Sequence, residues 1–219
     1  MKNIIQGKTC LITGANSGIG KALSLELAHL GARVIMICRN RERGELARQE
    51  IMKITQNPDI DMFLIDLSSQ RSIKEGVIEI KRKYDELDIL INNAGVLLFQ
   101  RCLTEENIEK TMATNYFGPF LLTNLLLDLL IKSAPSRIIN VVSEGQLKGE
   151  FDLAELTAPK KYKPMKVYSL SKQAEILFTY ELAEKLREKN VTSNCFYPGL
   201  VKTNLGKPDR GFYKLTYNF

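Results

Sequence analysis

The sequence predicts an α/β fold: a doubly wound parallel sheet of six expected strands with helices on both faces. Three observations predict it. Strand and helix patterns alternate from end to end, with no internal repeat and no linker. A glycine-rich turn joins the first apolar run to the first helical pattern. Unusual polar residues also recur just after strand ends: Arg39, Asp66, Asn92, Ser143 and the pair Pro198-Gly199. Repeated βα units put a parallel sheet between two helix layers, with right-handed crossovers, and ligands bind at the carboxyl ends of its strands.

The elements follow in order. Residues 8–12 are an apolar, β-forming run. The turn Thr13-Gly14-Ala15-Asn16-Ser17-Gly18-Ile19-Gly20 comes next. In residues 21–30, Ala22, Leu23, Leu25, Leu27, Ala28 and Leu30 recur at helical spacing. Strand, glycine turn and helix in that order let backbone N–H groups and a helix N-terminus approach a pyrophosphate. Residues 32–38 read as a Val- and Ile-rich strand, 41–55 as a charged amphipathic helix and 61–65 as a short strand ending at Asp66-Leu67. Residues 69–84 read as a helix capped by Ser68 or Ser69. The apolar strand 87–91 ends in Asn92-Asn93-Ala94-Gly95. Thr104, a candidate cap, and Glu105 open a long helix running to about residue 132. Residues 137–142 form a strand ending at Ser143, and 145–166 a loop with at most one helical turn. A helix over 167–189 and a strand over 191–197 complete the pattern. The whole, residues 1–219, is expected to be one domain.

Composition excludes several classes. The net charge of +6 is too diffuse to mark a nucleic-acid surface, so no nucleic-acid partner is expected. The densest basic patch, Lys160, Lys161, Lys163 and Lys166, reads as a solvated loop. Cys10, Cys38, Cys102 and Cys195 have no metal-ligand spacing, so a reducing compartment and no metal site are expected. His29 is the only histidine and lies far in sequence from any nucleophile, against a Ser-His-Asp triad. The most apolar stretch, 117–131, is too short to span a bilayer and contains Pro119, Asn124 and Asp128. Residues 1–5 show no signal-peptide pattern and read as leading straight into the first strand. The expected location is cytoplasmic, with no membrane span.

The chemistry sits in Tyr168-Ser169-Leu170-Ser171-Lys172. Tyr168 and Lys172 are four apart on a helix and share a face. A free tyrosine titrates near ~10, too high for acid–base work at neutral pH. A neighbouring ammonium stabilises the phenolate and lowers that value, so Tyr168 can exchange a proton while hydride moves at an adjacent carbon. Ser143 is placed to hydrogen-bond the substrate oxygen.

Together these motifs resemble the short-chain dehydrogenase/reductase family and its Rossmann-type fold. The matching residues are Thr13-Gly14-x-x-x-Gly18-x-Gly20, Asn92-Asn93-Ala94-Gly95, Asn115, Ser143, Tyr168-x-x-x-Lys172 and Pro198-Gly199 with Thr203, over residues 5–205. Cys38-Arg39-Asn40, the run 120–126, Ser133-Ala134-Pro135-Ser136-Arg137-Ile138 and the long spacing from Ser143 to Tyr168 resemble the retinol dehydrogenase-like and WW-domain oxidoreductase-like branch. The resemblance implies a catalytic set of Asn115, Ser143, Tyr168 and Lys172. Tyr168 would be the acid–base and Lys172 its modulator and ribose holder. Ser143 would orient the carbonyl, and Asn115 would place a relay water. The resemblance also implies cofactor contacts at Gly14, Asn16, Ser17, Gly18, Ile19, Gly20, Arg39, Asp66, Leu67, Asn92, Ala94 and Gly95. Tyr168, Lys172, Pro198, Gly199, Val201 and Thr203 would complete them. A homo-oligomer pairing through the long helix and the Tyr168 helix is expected.

Cofactor choice follows from charge. An acidic residue after the second strand binds a ribose 2′-hydroxyl. Here Cys38 and Arg39 stand there, and a guanidinium pairs with a 2′-phosphate, so NADP(H) is expected over NAD(H). The expected activity is hydride transfer between that nicotinamide and an alcohol or carbonyl substrate, apolar and retinoid-, steroid- or lipid-aldehyde-like. Val142 and Glu144 depart from the family pattern on either side of Ser143. The chain is also C-terminally short: a substrate-covering segment and a seventh strand are expected to be missing after Gly199. The competing reading is therefore a nucleotide-binding or interaction protein of the same fold with little catalysis.

Overall fold

The computed structural model describes residues 2–143, 162–199, 201 and 205. Residues 145–161 of the predicted loop, Glu144, Thr203 and the tail from residue 206 lie outside the described residues.

Six strands form one sheet: β1 (Thr9–Thr13), β2 (Arg33–Cys38), β3 (Ile60–Leu64), β4 (Ile89–Asn92), β5 (Ser136–Val141) and β6 (Val191–Phe196). Their order is β3-β2-β1-β4-β5-β6, and every pairing is parallel. The chain leaves β1 toward β2 on one side and later returns to place β4 on the other. That reversal opens a crevice beyond the carboxyl ends of β1 and β4.

The central strands β1, β2 and β4 are buried on both faces because helices cover both. In β1, Leu11 enters one core layer while Cys10 and Ile12 enter the other. In β2, Ile35 and Ile37 alternate in the same way with Val34, Met36 and Cys38. The layer with Cys10 and Ile12 is closed by α2 (Gly18–His29) and α3 (Arg41–Thr55). The layer with Leu11 is closed by α4 (Gln70–Lys83), α6 (Gly118–Lys132) and α7 (Pro164–Lys185). Asn40 caps α3 by accepting from Arg43 N at 2.8 Å, and Ser69 caps α4, one of its two candidate caps.

Three sequence expectations need correction. The N-terminus does not run directly into β1. A short helix α1 (Lys2–Ile5) precedes it, and Gly7, at φ +77, turns the chain so that its N–H reaches Gly31 O at 2.9 Å. The long helix does not begin at Thr104. Thr104 and Ile108 instead close a tight turn through Thr104 N to Ile108 O at 2.9 Å, with Asn107 in the left-handed region. The true cap is Glu109, which accepts from Met112 N at 2.9 Å and starts α5 (Lys110–Met112). A π-helical turn, Ala113–Phe117, then joins α5 to α6. Finally, α7 begins at Pro164, whose fixed φ suits a first helical position, and ends at Lys185. Residues Arg187–Lys189 form a 3₁₀ turn closed by Asn190 at φ +56.

Candidate active site

The glycine turn lies at the crevice. Gly14 and Gly18 take positive φ, +67 and +52, which glycine adopts without strain. A Cβ on Gly20 would sit 2.4 Å from Gly14 O and 2.5 Å from Asn93 Nδ2. A Cβ on Gly14 would sit 3.0 Å from Ala94 Cα. The loops after β1 and β4 therefore touch through missing side chains. Thr13, fully buried, ties them: its Oγ1 accepts from Asn93 N and Ala94 N, both at 2.9 Å. Asn93 Nδ2 answers by donating to Thr13 O at 2.8 Å. Ser17 at the start of α2 makes no side-chain cap. The first-turn N–H groups of α2 are thus not covered by a capping side chain, and a pyrophosphate fits the cradle.

Around this turn, Asn16 and Ile19 are half-buried and Ser17 and Gly18 exposed. Arg39 is exposed at the end of β2, on the crevice side of the sheet. Cys38 beneath it has a thiol pushed up to about 12 by burial, opposed by the N–H of Ala15. Asp66, half-buried, folds its carboxylate onto Ser68, accepting from the backbone N at 2.8 Å and from Oγ at 2.7 Å. The Leu67 side chain belongs to the core. Asn92 turns inward as well: its Nδ2 donates to Thr123 Oγ1 at 2.9 Å and Asn140 Oδ1 at 2.8 Å. Any ligand contact at Leu67 or Asn92 falls to the backbone. Ala94 and Gly95 are half-buried beside the turn.

Tyr168 and Lys172 stand one helical turn apart on α7, both buried. The Lys172 ammonium donates to Val141 O at 2.8 Å and to Glu175 Oε2 at 2.7 Å. Gly95 faces this group: a Cβ there would meet Asn115 Oδ1 at 3.7 Å and Lys172 Nζ at 3.9 Å. Asn115, fully buried in the π turn, exchanges two hydrogen bonds with the Val96 backbone at 2.8 and 2.9 Å. Its Nδ2 also donates to Ser171 Oγ at 3.1 Å. The structure thus brings Asn115, Lys172, Tyr168 and the Asn93–Val96 loop together. Ser143 follows β5, half-buried, two residues beyond the carbonyl that Lys172 engages. Pro198 and Gly199 follow β6, with Gly199 at φ +76, and Val201 is exposed.

Sequence reasoning missed Thr13, Asn93, Ser171 and Glu175 as site supports. Thr13 and Asn93 lie inside motifs already quoted, and Glu175 lies three residues after Lys172. Glu175 is buried, and burial pushes its carboxyl up to about 7 against the downward pull of Lys172. Among the described residues no cluster of side chains could hold a metal ion, and no helix is long and apolar enough to cross a membrane.

Fold and site together define a parallel α/β protein of Rossmann type, with a glycine turn and a Tyr/Lys pair at its strand ends. The chain belongs to the short chain dehydrogenase family, whose pattern matches residues 8–213, and falls in its retinol dehydrogenase-like branch. It is 44% identical over 207 residues to retinol dehydrogenase 13 of Mus musculus, covering 94% of this chain and 62% of that one. It is 46% identical over 214 residues to retinol dehydrogenase 14 of Mus musculus, covering 93% and 64%. The chain thus spans less than two thirds of the length of these relatives. Among solved structures, the Pseudomonas aeruginosa RhlG/NADP active-site complex superposes with a TM-score of 0.74 at 26% identity, over 90% of this chain and 74% of that one.

Proposed function

We propose that this protein is an NADP(H)-dependent oxidoreductase acting on an alcohol/carbonyl pair in an apolar substrate of retinoid, steroid or lipid-aldehyde kind. The observation that carries the reading is the buried Lys172 ammonium one turn from Tyr168, beside Gly95 and Asn115. Gly14, Asn16, Ser17, Gly18, Ile19 and Gly20 would hold the pyrophosphate. Asp66 and Leu67 would lie on the adenine side, and Asn92, Ala94 and Gly95 would line the middle of the cofactor. Pro198, Gly199, Val201 and Thr203 would flank its nicotinamide end. When bound, the nicotinamide gives hydride in reduction and accepts it in oxidation.

The protein's own residues handle the proton. Tyr168 donates its phenolic proton to the carbonyl oxygen in reduction and removes it from the alcohol in oxidation. Lys172 stabilises the phenolate left behind. Ser143 donates a hydrogen bond to the same oxygen and fixes its position. Asn115 has its side chain committed to Val96 and Ser171, so it anchors the loop that carries Gly95 to α7. Arg39 at the end of β2, with no carboxylate in its place, supports preference for a 2′-phosphate, as does a relative solved with NADP. The relatives' names support the apolar substrate class.

The reading includes a homo-oligomer in a reducing, cytoplasmic setting. Exposed Phe120 on α6 with Leu177 and Tyr180 on α7 supports the first, and four free cysteines support the second.

The test is NADPH oxidation with a panel of apolar aldehydes and ketones. Tyr168→Phe is expected to lower kcat by about 10³-fold while keeping cofactor affinity. Arg39→Ala is expected to erase the NADPH preference. Cofactor binding without turnover on any carbonyl, indifferent to Tyr168→Phe, overturns the reading.

A further inference from the structure

We propose that Glu175 is a positioning residue of the Tyr168–Lys172 pair: its carboxylate holds the Lys172 ammonium and sets how much positive charge reaches Tyr168. The proposal rests on the proton-transfer reading above and deepens it.

Glu175 follows Lys172 by three residues, so the two side chains share a face of α7. Both are nearly inaccessible, with side chains 1% and 4% exposed, and Glu175 Oε2 lies 2.7 Å from Lys172 Nζ. An exposed pair at this spacing contributes little, but a buried one is a strong constraint, because removing either partner strands a charge. Among the described residues Glu175 Oε1 has no hydrogen-bond partner, so there Lys172 carries the compensation of that carboxylate. An ammonium has three N–H donors. Two go to Glu175 and to Val141 O, which fixes the ammonium and leaves one for the Gly95 side of the site.

The electrostatic consequence follows from the same contacts. A lone ammonium stabilises the Tyr168 phenolate by its full charge. An ionised Glu175 cancels part of it, and a protonated Glu175 restores it. Among the described residues, Lys172 is the one charged group acting on Glu175. The groups bonded to this pair and next to it, the Val141 carbonyl on β5, Thr179 on α7 and the Asn140 amide that donates to Thr179, are uncharged. Burial and this single partner put the protonation change of Glu175 near neutrality.

The experiment is an ultraviolet difference titration of phenolate absorbance. Tyr168 is isolated by subtracting the Tyr168→Phe protein in the wild-type and Glu175→Gln backgrounds. Tyr168 is expected to titrate about one pH unit lower in Glu175→Gln, the scale of one removed charge at the effective dielectric of a protein interior. Glu175→Asp keeps the charge and is expected to titrate near wild type. Coincident Tyr168 titrations in wild type and Glu175→Gln, with both folded by circular dichroism, overturn the proposal. Where Glu175→Gln does not fold, the infrared spectrum of the wild-type protein decides. Loss of a buried protonated-carboxyl band as pH rises through neutrality supports the proposal. Persistence of that band to about pH 9 overturns it. Neither titration needs turnover, so an inactive carbonyl panel sinks the proposed reaction without deciding the role of Glu175.

Discussion

Thr13→Val is a near-isosteric change that removes one oxygen from the join between the glycine turn and the loop after β4. Thr13 is fully buried, and its Oγ1 accepts from two backbone donors, Asn93 N and Ala94 N, at 2.9 Å each. Valine fills the same space and leaves both N–H groups without their acceptor. A buried donor stripped of its partner costs about 1–3 kcal/mol, and these two are part-buried, so the lower half of that range applies to each. The expected loss is about 2–4 kcal/mol, a large share of a domain's net stability. It corresponds to a fall in Tm of roughly 4–16 °C for a chain of this size. Urea denaturation should show a lower midpoint with an unchanged slope, since the surface exposed on unfolding is the same. Thr13→Ser keeps the acceptor and should recover most of the loss. NADPH affinity, followed by fluorescence, should fall with Thr13→Val because Gly14 and Ala94 are held in contact through this oxygen. A Thr13→Val protein within about 0.5 kcal/mol of wild type would refute the reasoning.

Other outcomes are expected from the same geometry. Gly20→Ala places a Cβ 2.4 Å from Gly14 O, a backbone atom that cannot yield cheaply, so calorimetry should find NADPH affinity reduced about 30-fold or more. Binding within about threefold of wild type would show that the turn relaxes around the methyl. The thiols should separate under a disulfide reagent at pH 8. Burial, with the Asp88 charge adding to it, pushes Cys10 up to about 12, and burial does the same to Cys38. Each is then only about 10⁻⁴ thiolate at that pH and should react after denaturation alone, whereas exposed Cys102 should react in the native protein. Rapid native modification of Cys38 would contradict its placement beneath the turn.

The central strands β1, β2 and β4 were legible in the sequence because each is buried on both faces. A parallel strand between two helix layers has no polar face to blur it, and its ends fall at a turn or a cap. All six ran within about two residues of expectation at either end. The cap at Ser69 was legible for a local reason, since its hydroxyl meets an N–H three residues on. Residues 96–109 were not legible. Ile108 and Met112 continue a helical spacing, and only the left-handed Asn107 and the inward turn of Glu109 show that the chain has yet to start its helix. Asn92 was placed in the right loop, but its side-chain direction depends on the strand register that sets it opposite Asn140. Glu175 was hidden differently. A Lys–Glu pair at this spacing is ordinary on a helix surface, and nothing local says that this one is sealed under the sheet.

The π turn at Ala113–Phe117 has a consequence for changes in chain length. It adds one residue to a helical turn, which rotates everything after it by about 100° relative to everything before. Upstream, α5 and Asn115 lie against α7; downstream, Leu122, Leu126, Leu129 and Leu130 of α6 are buried in the layer shared with α4. The turn is thus a phase shifter between two docking partners. Deleting Thr114 would restore an uninterrupted α-helix and spare every side chain named in the site. The helix could then keep Asn115 on Val96 and Ser171, or keep its leucines under the sheet, but not both. A gap of one residue in this turn is therefore expected to disturb either the Asn115 contacts or the leucine packing without replacing a side chain of either.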